Sequence, residues 1–188
     1  MAAKKKAKKK SVKKAARKVA KKTAKKAGKQ TGKKSPGYMP AGVQNAIPYL
    51  IVKGGIQALE FYKKAFGARE KGRLVMPDGK LAHGELEIGG ARVMLSEEVS
   101  DWGNHSPRTL GGTPVSITIY VRNADALFER ALKAGARSER PMADQFYGDR
   151  MGTLIDPFGH RWSIATHKED VTFREMQKRM DRMFHEDS

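Results

Sequence analysis

One stretch of this chain occurs twice, and the repeat limits the possible folds more than any other feature. The apolar run NAIPYLIV at 45–52 leads into a helical pattern ending AFGAR at 65–69; PVSITIYV at 114–121 leads into one ending KAGAR at 133–137. Ala58 and Leu59 recur 68 residues later as Ala126 and Leu127, and Gly67-Ala68-Arg69 recurs as Gly135-Ala136-Arg137. Each half closes on a Gly-x-Arg strand, Gly90-Ala91-Arg92 and, 69 residues on, Gly159-His160-Arg161. A solenoid needs at least three stacked repeats, so a long period present twice points to a duplicated β-α-β-β-β unit. Two such units form one pseudo-symmetric body, with the groove between them as the place for a ligand.

Period-two alternation over 47–52 puts Pro48, Leu50 and Val52 on one face and Ile47, Tyr49 and Ile51 on the other. A helix over 56–66 aligns Leu59, Tyr62 and Phe66, and Gly67 is placed to end it in a left-handed cap. Strands follow at 69–76, 81–88 and 91–96. The second unit repeats the order, with a strand at 115–121, a helix at 123–134 stopped by Gly135, and strands at 137–143, 150–155 and 160–166. The domain plan is therefore a tail over 1–40 and a body over 41–188. Within the body, module one covers 44–97, a connector 98–113, module two 114–167 and a C-terminal helix 172–186. That helix opens on a Thr172/Glu175 capping box and carries an apolar stripe of Phe173, Met176, Met180 and Met183, suited to the body or to a second subunit. The Gly/Pro/Ser-rich connector reads equally as a lid or as a flexible linker.

Charge divides the chain at the same tail boundary. Residues 1–37 hold sixteen lysines, Arg17 and no acid, which is +17 of the net +18; the other 21 basic and 20 acidic side chains nearly cancel. This segment has too little apolar surface to offset the entropy of ordering its backbone, so it is expected to be disordered. Its composition resembles the tails of linker histones. Lys4, Lys5, Lys6, Lys8, Lys9, Lys10, Lys13, Lys14, Arg17, Lys18, Lys21, Lys22, Lys25 and Lys26 are its nucleic-acid-binding candidates. They would bind by counterion release, without base readout, since no aromatic precedes Tyr38. The alternative is a solubility extension with no selected partner. No apolar run suits a secretory signal or a membrane span, and the absence of cysteine removes disulfides, thiolate metal sites and cysteine nucleophiles. The expected location is the cytoplasm, with nucleoid association through the tail.

The first-helix pair Phe61-Tyr62 and the run DQFYGDRMGTLIDPFGHRWSIATH at 144–167 resemble the vicinal oxygen chelate superfamily of glyoxalases, bleomycin and fosfomycin resistance proteins and extradiol dioxygenases. The connector SPRTLGG and the strand HGEL at 83–86 resemble its PhnB-like, glyoxalase-related branch. The resemblance implies an α+β fold: two βαβββ modules forming a pseudo-symmetric pair of curved mixed sheets around a cavity. It also implies, in metal-dependent members, one divalent ion held by His or Glu on the first and last strand of each module. Those positions carry Ile47, Met94, Ser116 and Ser163 here. Isoleucine has no donor atom, methionine is a soft ligand and neutral serine a weak one, so neither metal nor any other cofactor is expected.

Other residues supply candidates for a metal-free site. His83, Glu85 and Glu87 alternate along one strand and share a face. Either His83 is a catalytic base oriented by Glu85, or the three form a solvated strand face. Tyr49, Ser116, Tyr120, Tyr147, Arg150, Trp162 and Ser163 are the substrate-binding candidates. Arg150 beside Asp149 reads as an anion anchor or as a brace for the Asp156-Pro157-Phe158-Gly159 turn. Tyr120 and Trp162 read as cavity walls or as core. His105, His160 and His167 read as surface or turn residues. The expected function is a small-molecule-binding protein or enzyme tethered to polyanions by its tail and paired as a homodimer. The alternative is a non-specific, nucleoid-associated DNA-binding protein whose body is a dimerisation scaffold.

Overall fold

The structure, a computed structural model, describes residues 38–40 and 42–186; residues 1–37, with all the nucleic-acid candidates, lie outside the described residues. Module one runs β1 (Tyr49–Val52), α1 (Gly55–Phe66), β2 (Arg69–Val75), β3 (Leu81–Ile88) and β4 (Ala91–Glu97). A 3-10 turn (Ser100–Trp102) and a short helix α2 (Pro107–Leu110) fill the connector. Module two then repeats the order with β5 (Ser116–Tyr120), α3 (Ala124–Ala134), β6 (Arg137–Asp144), β7 (Asp149–Ile155) and β8 (Arg161–His167), and α4 (Phe173–Glu186) follows. The sheets have matching orders, β1-β4-β3-β2 and β5-β8-β7-β6. In each, the first strand is parallel to the last and the other pairs are antiparallel. The fold is thus α+β, a pseudo-symmetric pair of mixed four-stranded sheets. β1 begins two residues later than the alternation suggests, and proline at 48 has no N–H for a ladder.

Equivalent positions do equivalent work in the two modules. Gly67 (φ 65°) and Gly135 (φ 117°) end α1 and α3 in the left-handed region, where a side chain is strained. Gly84 and Gly152 lie where the helices cross the sheets. A Cβ at Gly84 would meet Leu59 of α1 at 3.2 Å, and one at Gly152 would meet Phe128 of α3 at 2.8 Å. The last strand caps the helix in both halves. Glu97 accepts from the N–H groups of Gly54 and Gly55 (2.8 and 2.7 Å), and Thr166 Oγ1 accepts from that of Ala124 (2.9 Å).

One face of each sheet is covered by helix and the other is open. Leu50, Val52, Leu86, Val93 and Leu95 from the first sheet and Ile119, Leu154, Trp162 and Ile164 from the second join α1 and α3 in one continuous core. Phe66 of α1 packs at a tilt against Trp162 of β8, ring centroids 4.8 Å apart and planes 50° to each other. Beneath this contact the Asp156 carboxylate, 4% exposed, accepts four hydrogen bonds. They come from Tyr62 Oη (2.7 Å), Trp162 Nε1 (2.8 Å) and the backbone N–H groups of Phe158 (2.8 Å) and His160 (2.9 Å). Burial, with Asp156 adjacent, pushes the Tyr62 phenol well above its usual range, so it stays a donor.

The connector is fastened as a folded segment: Glu98 accepts from the backbone N–H of Ser106 (2.5 Å) and from Thr109 Oγ1 (2.9 Å), with Lys53 3.4 Å away. Those bonds hold the Glu98 carboxyl down at about 2. On α4, Met176 and Met180 are half-buried, whereas Met183 and Phe173 are exposed.

Tyr62→Phe should destabilise the protein by about 1–3 kcal/mol, since it removes one of two side-chain donors from a buried carboxylate. Urea unfolding reads the difference. A loss below about 0.3 kcal/mol would show that Trp162 and the turn satisfy Asp156 without Tyr62.

Candidate ligand-binding site

The open face of the first sheet carries a chain of polar groups rooted in strand register. Tyr49 pairs with Met94 across β1 and β4, and Met94 with Glu85 across β4 and β3, so Tyr49, Met94 and Glu85 share one row. His83 lies two residues along β3 on the same face. Tyr49 Oη is 3.1 Å from His83 Nδ1, and His83 Nε2 is 3.3 Å from Glu85 Oε1. Glu85 also accepts from the guanidinium of Arg92, whose side chain is 11% exposed. A carboxylate only accepts, so in the neutral form of the imidazole the proton sits on Nε2 and Nδ1 accepts from the phenol. The His83 hydrogen bond, with Arg92 behind it, holds the Glu85 carboxyl below its usual range.

The open face of the second sheet has a different cluster. Asp149, 5% exposed, accepts from Tyr120 Oη (2.6 Å) and from His167 Nδ1 (2.8 Å), and Asp170 takes His167 Nε2 (3.0 Å). Hydrogen bonds to Asp149 and then Asp170 raise the His167 pKa, and the bond to Asp149 raises that of Tyr120. Half-buried Tyr147 donates to Met151 Sδ (3.6 Å). Ser116 and Ser163, the inferred metal positions of module two, hydrogen-bond to each other (3.1 Å). Among the described residues no cluster of three His, Cys, Asp or Glu is placed to hold a metal ion.

A pocket of about 540 Å³ opens between the starts of β1 and β5 under the connector. Tyr49, Ile51, Ser116 and Arg161 reach it from the strands, and His105 and Leu110 from the connector. His160 stands at its edge with Nε2 3.0 Å from the Ile51 carbonyl. Among the described residues the lining includes Arg161 and two histidines but no carboxylate. His105 Nδ1 and Arg161 Nε are buried without a hydrogen-bond partner among the described residues.

The structure thus brings together Tyr49, His83 and Glu85, and separately Ser116 and Ser163, while two substrate-binding expectations need correction. Trp162 is fully buried on the helix-covered face, because it alternates with Ser163 along β8 and the two must point opposite ways. Arg150 is no free anion anchor. It makes a bidentate pair with Asp125 of α3 (2.6 and 2.8 Å) and reaches Asp144 (3.3 Å), so it braces the helix start and not the Asp156 turn. Sequence reading missed the link between Asp149 and His167, although both lie nine residues from Phe158, the centre of the β7–β8 hairpin, and so face each other.

The family model of the glyoxalase/bleomycin resistance protein/dioxygenase superfamily matches residues 48–164, and the chain belongs to that superfamily. An uncharacterised Mycobacterium bovis protein is 45% identical over 146 residues, 76% of this chain and 96% of its own. The crystal structure of an Arabidopsis thaliana gene product is 26% identical, with a TM-score of 0.53 over 66% of this chain and 98% of its own. The Listeria monocytogenes fosfomycin resistance protein FosX, crystallised with Mn(II) and sulfate, shares the fold at 21% identity and a TM-score of 0.50. That match covers 76% of this chain and 99% of that one. The inferred metal positions here, Ile47, Met94, Ser116 and Ser163, do not fit such an ion: one has no donor and two are hydrogen-bonded to each other.

The raised His167 pKa predicts a pH effect of definite sign. Its ion pairs stabilise the fold fully below the unfolded histidine value of about 6.5, and that contribution fades as pH rises through the higher folded value. The melting-temperature gap between wild type and His167→Gln should therefore be widest near pH 6 and shrink toward pH 9. A gap that widens with pH would contradict the charged pairing.

Proposed function

We propose that the body is a small-molecule-binding protein of the PhnB-like branch that works without the superfamily's metal, and that residues 1–40 tether it to nucleic acid or another polyanion. The pocket carries the first part of this reading. About 540 Å³ with walls of Pro48, Ile51, Pro107, Leu110, Val115 and Ile117 suits a small apolar body. The free Nε of Arg161, whose Nη2 is already paired with Glu139 (2.7 Å), and the unpartnered Nδ1 of His105 favour an anionic head, since unpartnered polar atoms in the wall are costly unless something meets them. The ligand class is therefore an apolar weak acid. Aromatic carboxylates should show saturation-transfer NMR signals that the matching amines do not, and Val115→Arg should abolish them. Equal binding of amines and acids would overturn the class.

The concentration of +17 in 37 residues supports the second part and also favours the competing reading, a DNA-binding protein whose body only dimerises. Full-length protein should bind duplex DNA without sequence preference. Its affinity should fall about a thousandfold or more between 50 and 200 mM salt, and the chain 38–188 should bind hardly at all. Equal binding by the two forms would remove the tail from the account, whereas a pocket that takes no ligand would favour the scaffold reading. We further propose pairing of two copies through Met176, Met180 or Met183; light scattering on the chain 38–188 at tens of micromolar would show a monomer if this is wrong.

A further inference from the structure

We infer that Tyr49 is the acid–base residue of this pocket: it takes a proton from a hydroxyl group of the bound ligand while its own phenol proton passes to Nδ1 of His83. The inference rests on the small-molecule reading and deepens it, because among the described residues Tyr49 is the one that both lines the pocket and joins the His83–Glu85–Arg92 chain. A ligand hydroxyl donates to the Tyr49 oxygen, and the Tyr49 O–H bond breaks as the Nδ1–H bond of His83 forms. The ligand is left as an anion and His83 as an imidazolium. That imidazolium lies against the Glu85 carboxylate, which Arg92 holds in place. On the other side the pocket wall offers that anion the free Nε of Arg161, whose Nη2 is paired with Glu139. The arrangement is a charge relay with phenol in the place of a serine hydroxyl. His83, Glu85 and Arg92 act through Tyr49 and are positioning residues.

Two comparisons inside the molecule separate this chain from ordinary surface polarity. The duplication places Thr118, Met151 and Thr153 at the module-two counterparts of Tyr49, His83 and Glu85, in the same register on the same kind of sheet. That sheet forms without the triad, so the triad is not required by the architecture. The phenol on the second open face, Tyr120, donates to the Asp149 carboxylate, which holds its proton in place. Tyr49 instead faces an imidazole nitrogen, Nδ1 of His83 at 3.1 Å.

An aryl sulfonyl fluoride tests the relay without a known ligand. The Tyr49 oxygen bonds to sulfur, fluoride leaves and the phenol proton goes to His83. Peptide mapping by mass spectrometry on the full chain reads the labelling rate at each tyrosine. Tyr38, 95% exposed, is the unassisted reference within the same molecule. Tyr49 should label at least about tenfold faster than Tyr38, and Tyr120 more slowly than Tyr38. His83→Gln, which offers Tyr49 an acceptor of little basicity, should bring Tyr49 to within about twofold of Tyr38 with the melting temperature unchanged. Glu85→Gln should fall between them. Tyr49 labelling no faster than Tyr38, or as fast in His83→Gln as in wild type, would overturn the relay. The outcome is independent of the carboxylate binding measurement, so the relay and the ligand class can fail separately.

Discussion

The hydrogen bonding of the Asp156 carboxylate is the constraint on which the rest of the body depends. A buried carboxylate is tolerated only when its lone pairs are met, and Asp156 meets four donors from three different places in the chain. Two are the N–H groups of its own turn, which set the direction of β8. The third is Trp162, the largest side chain on that strand's covered face. The fourth is Tyr62, which belongs to the helix of the other module. One anion therefore fixes a turn, a strand and the docking of α1. The pocket inherits this geometry: the turn carries His160 to the Ile51 carbonyl, and β8 carries Arg161 to the pocket wall.

The polar clusters sit where water can still reach part of them. Covering the first sheet with α1 and the second with α3 leaves each sheet one face that neither of these helices screens, and the sheet-borne ionisable groups of the candidate site are on such faces. Glu85 would be expensive to bury alone. Beside Arg92 and His83, and still part-exposed, it is an ordinary carboxylate with a lowered pKa. The apolar pocket forms at the seam, where both first strands are sheet edges and the connector supplies a lid of Pro107, Leu110 and Thr113. A segment read from sequence as lid or linker is held as wall by Glu98, whose low pKa keeps its anion in place well into acid.

Most elements were legible because the signals were local. Period-two runs, helical spacing and the stopping glycines Gly67 and Gly135 located strands and helices to within a residue or two, and the long repeat supplied the topology. The candidate site was legible only in part. Placing both Trp162 and Ser163 on the cavity ignored the alternation of a strand, which allows only one of two neighbours on a face. The same rule separates Asp149 from Arg150: the aspartate takes the open face and the arginine turns to α3. Tyr49 and His83 are 34 residues apart and meet only through the β1–β4–β3 order, a non-local arrangement that no spacing rule encodes. Asp156 gave no warning of its partner Tyr62, 94 residues away, for the same reason.

Duplication also distinguishes what the fold needs from what it merely permits. Features present in both halves are those a βαβββ unit cannot lose: a left-handed glycine after the helix, a glycine where helix crosses sheet at Gly84 and Gly152, and an acceptor on the last strand at Glu97 and Thr166 for the helix N-terminus. Even there the chemistry drifts, since a carboxylate and a hydroxyl do the same capping. Features present once escaped that requirement. Tyr49, His83 and Glu85 have no polar triad opposite them, and Asp149 with His167 has none in module one, where Leu81 and Glu98 occupy the matching positions. A pseudo-symmetric scaffold with two unlike faces cannot treat a ligand symmetrically. On the second sheet the tyrosine donates to a carboxylate, on the first it faces an imidazole, and so the two open faces present different hydrogen-bonding groups to whatever meets them.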